Sequence, residues 1–215
     1  MFSRTQLGQA YFRAKHEIIE CGFEEEIEYQ YDANINNLNE REFLAEYSWV
    51  VLCSGMSEKV VRKIFPRISD VFFNWQSAEL IYIYREVCFS DSVKFFNSSK
   101  KINAIIDTAK RIKDSGFLAV INGIQRDGIS YLRTFPFLGP ATSYHLAKNI
   151  GFPYSKPDRH LVRLANGLGF SSPQELCREI SGICVEPIPV VDIVLWRYAT
   201  LKKNFSELFA KGSMQ

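Results

Sequence analysis

The chain has 215 residues, 47% of them hydrophobic, with seventeen Phe and ten Tyr, which is ample material for a core and excludes disorder as its default state. Its net charge of +2 is unevenly divided: residues 1–99 hold ten Lys and Arg against fifteen Asp and Glu, and residues 100–215 hold sixteen against nine. No apolar run is long enough to span a bilayer, no signal-peptide stretch opens the sequence, and five cysteines lack framework spacing, so the expected setting is intracellular, in cytoplasm and nucleoid or in a nucleus.

Residues 3–21 predict an amphipathic helix with Leu7, Tyr11, Ala14 and Ile18 inward and Phe12 a further candidate for that face, ended by Gly22. The acidic run Glu24, Glu25, Glu26 and Glu28 reads as a solvated linker, and residues 29–37, polar and Asn-rich, as a loop. Asn39 with Glu42 three residues on makes a capping box for a helix running to about Ser54. Ser57 opens another helix, expected to close before Pro66. Residues 69–75 and 77–87 read as helical, and residues 99–112 repeat apolar side chains at 102, 105, 106, 109 and 112, a clear helical spacing stopped by Gly116. A short helix over 117–125 follows.

The stretch 129–168 is the most informative. Apolar spacing predicts a helix over 129–135, then a tight turn from Phe135 to Gly139, then a second helix from Pro140 to Ile150 with Gly151 as its C-terminal stop. Asp158 is placed to cap a third helix carrying Leu161, Leu164 and Leu168 on one face. The free backbone N–H groups at the start of the second helix, including those of Ala141 and Thr142, suit a phosphate oxygen, and Gly139 permits close approach. Further on, Ser172 and Glu175 make a second capping box, for a helix expected to end at Gly182. Residues 186–189 read as a rigid linker and 190–205 as a last helix. No strand is expected, and the fold class is all-α.

The residues of this stretch resemble the helix-hairpin-helix DNA glycosylase superfamily, whose pattern is L-P-G-[IV]-G-x-x-T-A, a helix, and V-D-x-H-[VI]-x-R. Phe135, Pro136, Leu138, Gly139 and Thr142 match the hairpin, and Asp158, His160, Leu161 and Arg163 match the second part. Phe137 stands where the family has its first hairpin glycine. Ala141 stands where bifunctional members carry a catalytic lysine. Upstream, residues 43–68 resemble the family's first barrel helix, with Gly55 at the position of its Gln and Met56 beside it as the side chain to fill the gap left by a flipped base.

The resemblance implies two helical lobes with an active-site cleft between them: residues 38–151 as a barrel-like lobe bearing the hairpin, and residues 1–37 with 152–215 as the lobe carrying Asp158. It implies excision of a modified or mismatched base from double-stranded DNA by a monomer. Asp158 would be catalytic, with Leu138, Gly139, Ala141, Thr142 and Met56 against DNA. Ala141 cannot form a Schiff base, which points to a monofunctional enzyme using water, with Lys148 and Lys156 as the nearest amines in sequence. Tyr47, Trp49, Tyr82 and Tyr144 are candidate pocket aromatics. Cys177 and Cys184 evoke half of the iron–sulfur loop found in some relatives, but four thiolates are needed and no cysteine follows Cys184, so neither metal nor cofactor is expected. The alternatives are a non-catalytic DNA-binding protein using the hairpin for grip, and a helical interaction protein without a nucleic-acid role.

Overall fold

The computed structural model describes residues 3–202, all of whose regular elements are helices. Those elements are α1 (Arg4–Glu20), α2 (Glu24–Asp32), α3 (Glu40–Cys53), α4 (Glu58–Val71), α5 (Ala78–Ile83), α6 (Arg85–Ser92) and α7 (Ser99–Ser115). They continue with α8 (Phe117–Asp127), α9 (Ile129–Leu132), α10 (Thr142–Asn149), α11 (Arg159–Leu168), α12 (Pro173–Cys184) and α13 (Ile188–Leu201). None of the described helices is long and apolar enough to cross a membrane.

The chain divides into two units, one of residues 36–150 and one of the residues up to Ile35 with those from Gly151 on. In the first, α7 packs on α3 and α5, and the core is built from Phe43, Tyr47, Val51, Ile68, Ile81 and Ile105. In the second, α1, α2, α11 and α12 pack around α13, burying Leu7, Tyr11, Ile18, Leu161, Leu176 and Val191.

Local signals account for much of this. Asn39 Oδ1 accepts from the Glu42 amide at 2.9 Å, and Glu42 Oε2 accepts in return from the Asn39 amide, so two of the orphan donors that begin α3 are satisfied. A capping box of the same kind, Ser3 with Gln6, starts α1. Ser172 caps α12, which runs beyond Gly182 to Cys184.

Elsewhere the sequence expectation is corrected. The acidic run and part of the expected loop form α2. Its first turn is Glu24, Glu25 and Glu26, where negative side chains meet the positive end of the helix dipole. Ile27 is buried, and Glu26 makes a two-pronged ion pair with Arg197 of α13, with Nη2 2.6 Å and Nε 2.9 Å from its two oxygens. α4 continues through Pro66 because Val61 and Ile68 on either side are buried, and that packing outweighs the one backbone bond the ring removes.

Residues 69–75 do not make one helix. After α4 ends, Phe73, Asn74 and Trp75 take positive φ angles of 54°, 49° and 63°. This is a left-handed turn that costs roughly 1–2 kcal/mol per residue. It is held by Arg41, which donates to Asn74 O at 3.1 Å, and by the Trp75 indole, which donates to Ser69 and stacks on Phe72 with ring centres 5.2 Å apart. The expected helix over 77–87 breaks at Tyr84 into α5 and α6. The expected end of the last helix, at residue 205, lies outside the described residues.

Candidate nucleic-acid interface and acid

The turn expected as a hairpin is the connection between α9 and α10, residues 133–141, and it is braced by aromatic packing. Phe135 lies against Phe43, Tyr47 and Tyr131, with ring centres 5.6–6.0 Å apart. The Tyr47 hydroxyl donates to Pro136 O at 2.9 Å, so Tyr47 is a buried strut of the turn and not a pocket wall. Arg111 of α7 lays its guanidinium over the Phe135 ring at 3.9 Å and donates to Thr134 Oγ1 at 2.9 Å. Arg133 is exposed beside the turn.

Phe137 has φ 61°, the left-handed conformation that glycine adopts most readily. The turn thus takes a glycine-like backbone at the position where a glycine is absent. Gly139 has no positive φ, and a Cβ there would meet only Thr142 Oγ1 at 4.0 Å. Nothing within the fold requires glycine at 139.

The second helix starts later than Pro140. α10 begins at Thr142, with Ala141 at its N-cap position, because the Thr142 hydroxyl closes the turn on itself. It accepts from the Gly139 amide at 2.7 Å and donates to Phe137 O at 2.7 Å. Ser143 adds backbone and hydroxyl bonds to Gly139 O. The Gly139 amide is therefore committed, whereas those of Ala141 and Thr142 donate to no acceptor among the described residues. Leu138 is 4% exposed and packs inward, so its main chain alone is available to a ligand.

Met56 lies in the turn after α3 and is 39% exposed, so the core does not use it. Gly55 before it has φ 68°. The turn is anchored by a residue that sequence reading passed over. Lys101 of α7, 6% exposed, donates from Nζ to Leu52 O at 2.8 Å and Ser54 O at 2.6 Å, placing a positive charge at the negative end of α3. Burial pushes its pKa below the ordinary lysine value. The signal was there: Lys101 falls four residues before Ile105 and eleven before Ile112, on the buried face of α7.

Of the other candidate aromatics, Trp49 packs edge-on to Phe65 at 5.2 Å. Tyr82 is surrounded by Arg85, Lys110 and Lys113, each within 6 Å of its ring centre. Tyr144 is half-buried on α10.

Asp158, in the second unit, caps α11. Its Oδ1 accepts from the His160 amide at 2.9 Å and the Leu161 amide at 3.0 Å. Its Oδ2 takes no hydrogen bond from a described residue, and the side chain is half-buried. One oxygen is structural, and the other is left unused by the described residues. His160 Nε2 lies 3.4 Å from Arg159 Nε. Lys148 is only 3% exposed, and Cys177 is packed in the core of its unit.

No family model matches the chain, and neither a curated protein nor a solved structure matches it.

Proposed function

We propose that this protein is a monofunctional DNA glycosylase that excises a modified or mismatched base from double-stranded DNA by hydrolysing the N-glycosidic bond. The observation that carries the reading is the division of labour within Asp158, where Oδ1 holds two amides and no described residue uses Oδ2. An ionised carboxylate beside the sugar stabilises the cation that develops as the base departs, and orients the attacking water. The C1′–N bond breaks with its electron pair leaving on the base. The water oxygen bonds to C1′, and the proton the water gives up balances the charge on the base. The glycine-like turn at Phe137 and the uncommitted amides of Ala141 and Thr142 support the hairpin as a grip on phosphate.

The test is base release from a panel of duplexes, each with one modified or mismatched base, together with salt-dependent duplex binding. Release of a base with an intact abasic strand is the expected result. Salt-dependent binding without release from any duplex would instead make the protein a non-catalytic binder, and neither would remove it from nucleic acid altogether.

Two variants test the contact surfaces separately. Gly139→Asp should fold, since the site has room for a side chain, and should bind every duplex alike at least about fivefold more weakly. That figure follows from ~1 kcal/mol between unit charges 4 Å apart in water. Unchanged affinity in gel shift would take the hairpin off the DNA. Met56→Ala should leave stability nearly unaltered, because the side chain is exposed, and should slow excision from duplex more than from single strands, where no gap needs filling. Equal losses on both substrates would dismiss Met56 as a wedge.

A further inference from the structure

We infer that Asp192 and Gln174 are positioning residues for the Asp158 carboxylate, suspending the chain of residues 153–158 from α13 and α12 and so fixing where that carboxylate stands. The inference rests on the glycosylase reading and deepens it. Residues 153–158 lie outside any helix, yet every main-chain N–H from Tyr154 to Asp158 has an acceptor, Pro157 having none to place. Two of those acceptors are side chains. Gln174 Oε1 accepts from the Ser155 amide at 2.7 Å while Gln174 Nε2 donates to Pro153 O at 3.1 Å, so one amide group grips the segment at two points. Asp192 Oδ2 accepts from the Lys156 amide at 2.7 Å. The Lys156 carbonyl then accepts from the Asp158 amide at 2.8 Å, which leads directly to the cap on α11.

Asp192 is 2% exposed on a helix whose neighbouring residues Val190, Val191 and Val194 are all buried. A carboxylate there is costly to bury unless it holds donors that would otherwise go unpaired. A loop of this length could be closed by backbone bonds and apolar packing alone. What the carboxylate adds is a fixed, charge-assisted anchor two residues before Asp158.

The experiment is a double-mutant cycle on single-turnover excision, with duplex affinity measured alongside. Asp192→Ala should slow the chemical step ten- to a hundredfold, the range expected when a reacting group is displaced by about an ångström, with affinity changed by less than about twofold. Asp192→Asn keeps an acceptor oxygen of the same shape and should recover most of that loss. In an Asp158→Asn background, Asp192→Ala should cost nothing further, because the group it positions is already disabled. A role confined to folding predicts otherwise: full loss on top of Asp158→Asn, or rate and affinity falling together. Either result overturns the inference, as does wild-type rate in Asp192→Ala. Should Asp192→Ala fail to fold, Gln174→Ala takes its place in the same cycle with the same outcomes. Absence of excision by the wild-type protein across the duplex panel would end the glycosylase reading itself, and this assignment with it.

Discussion

Asp158→Asn is expected to lower single-turnover base excision about a hundred- to a thousandfold, the ~2.7–4 kcal/mol that one preorganised electrostatic partner commonly supplies to a transition state. The geometry makes this a clean substitution. Asn keeps an Oδ1, and that atom alone carries both bonds of the cap, to the His160 and Leu161 amides. The helix start and the stability of the unit should survive. What disappears is the negative charge, half of it on the oxygen that no described residue uses. Duplex binding should hold or tighten, since a carboxylate near phosphates is removed. With alanine rather than lysine at 141 and Lys148 buried, borohydride should trap no covalent complex with the wild-type protein. Wild-type activity in Asp158→Asn would reduce Asp158 to a helix cap, and a trapped complex would overturn the monofunctional assignment.

What could be read from sequence, and what could not, divides by how far the deciding partner lies along the chain. The cap of α3 needs only Asn39 and Glu42, and the stripe of α7 only its own apolar residues, so both were legible. Asp158 was legible as a cap for the same reason. α2 was not, because the residue that pairs with Glu26 is 171 positions away on α13. Pro66 misled because local propensity stops a helix there, while burial of residues on both sides continues it.

The three left-handed residues after α4, and Phe137 in the hairpin, were illegible in principle, since side-chain sterics argue against the φ they adopt. The residues that hold the candidate site in place were missed through their type. Lys101 and Asp192 were passed over because charged side chains are mostly exposed, although each interrupts an apolar pattern on its own helix. The structure divides the chain near residues 35 and 150. Composition alone marks no boundary there.

Gly151→Ala is expected to destabilise the protein by about 2–5 kcal/mol, for a reason the sequence reading of Gly151 as a helix stop only partly contained. Its φ of 92° is itself unfavourable for alanine by roughly 1–2 kcal/mol. A Cβ would also stand 2.6 Å from Ala33 O and 2.7 Å from Asn34 Cα. Those atoms are backbone and cannot swing aside as a flexible side chain would. Relieving the contact requires a main-chain shift, and overpacking of this kind adds about 1–3 kcal/mol. Gly167 provides the internal comparison. It is exposed within α11, has no positive φ, and an added Cβ would meet nothing within 4 Å. There alanine should stabilise by about 0.5–1 kcal/mol, the ordinary gain of removing glycine from a helix interior. Urea unfolding of the two variants should therefore move the midpoint in opposite directions from the same one-methyl change. Equal midpoints would mean that the segment around Ala33 yields to the methyl group, and that Gly151 is a helix stop and nothing more.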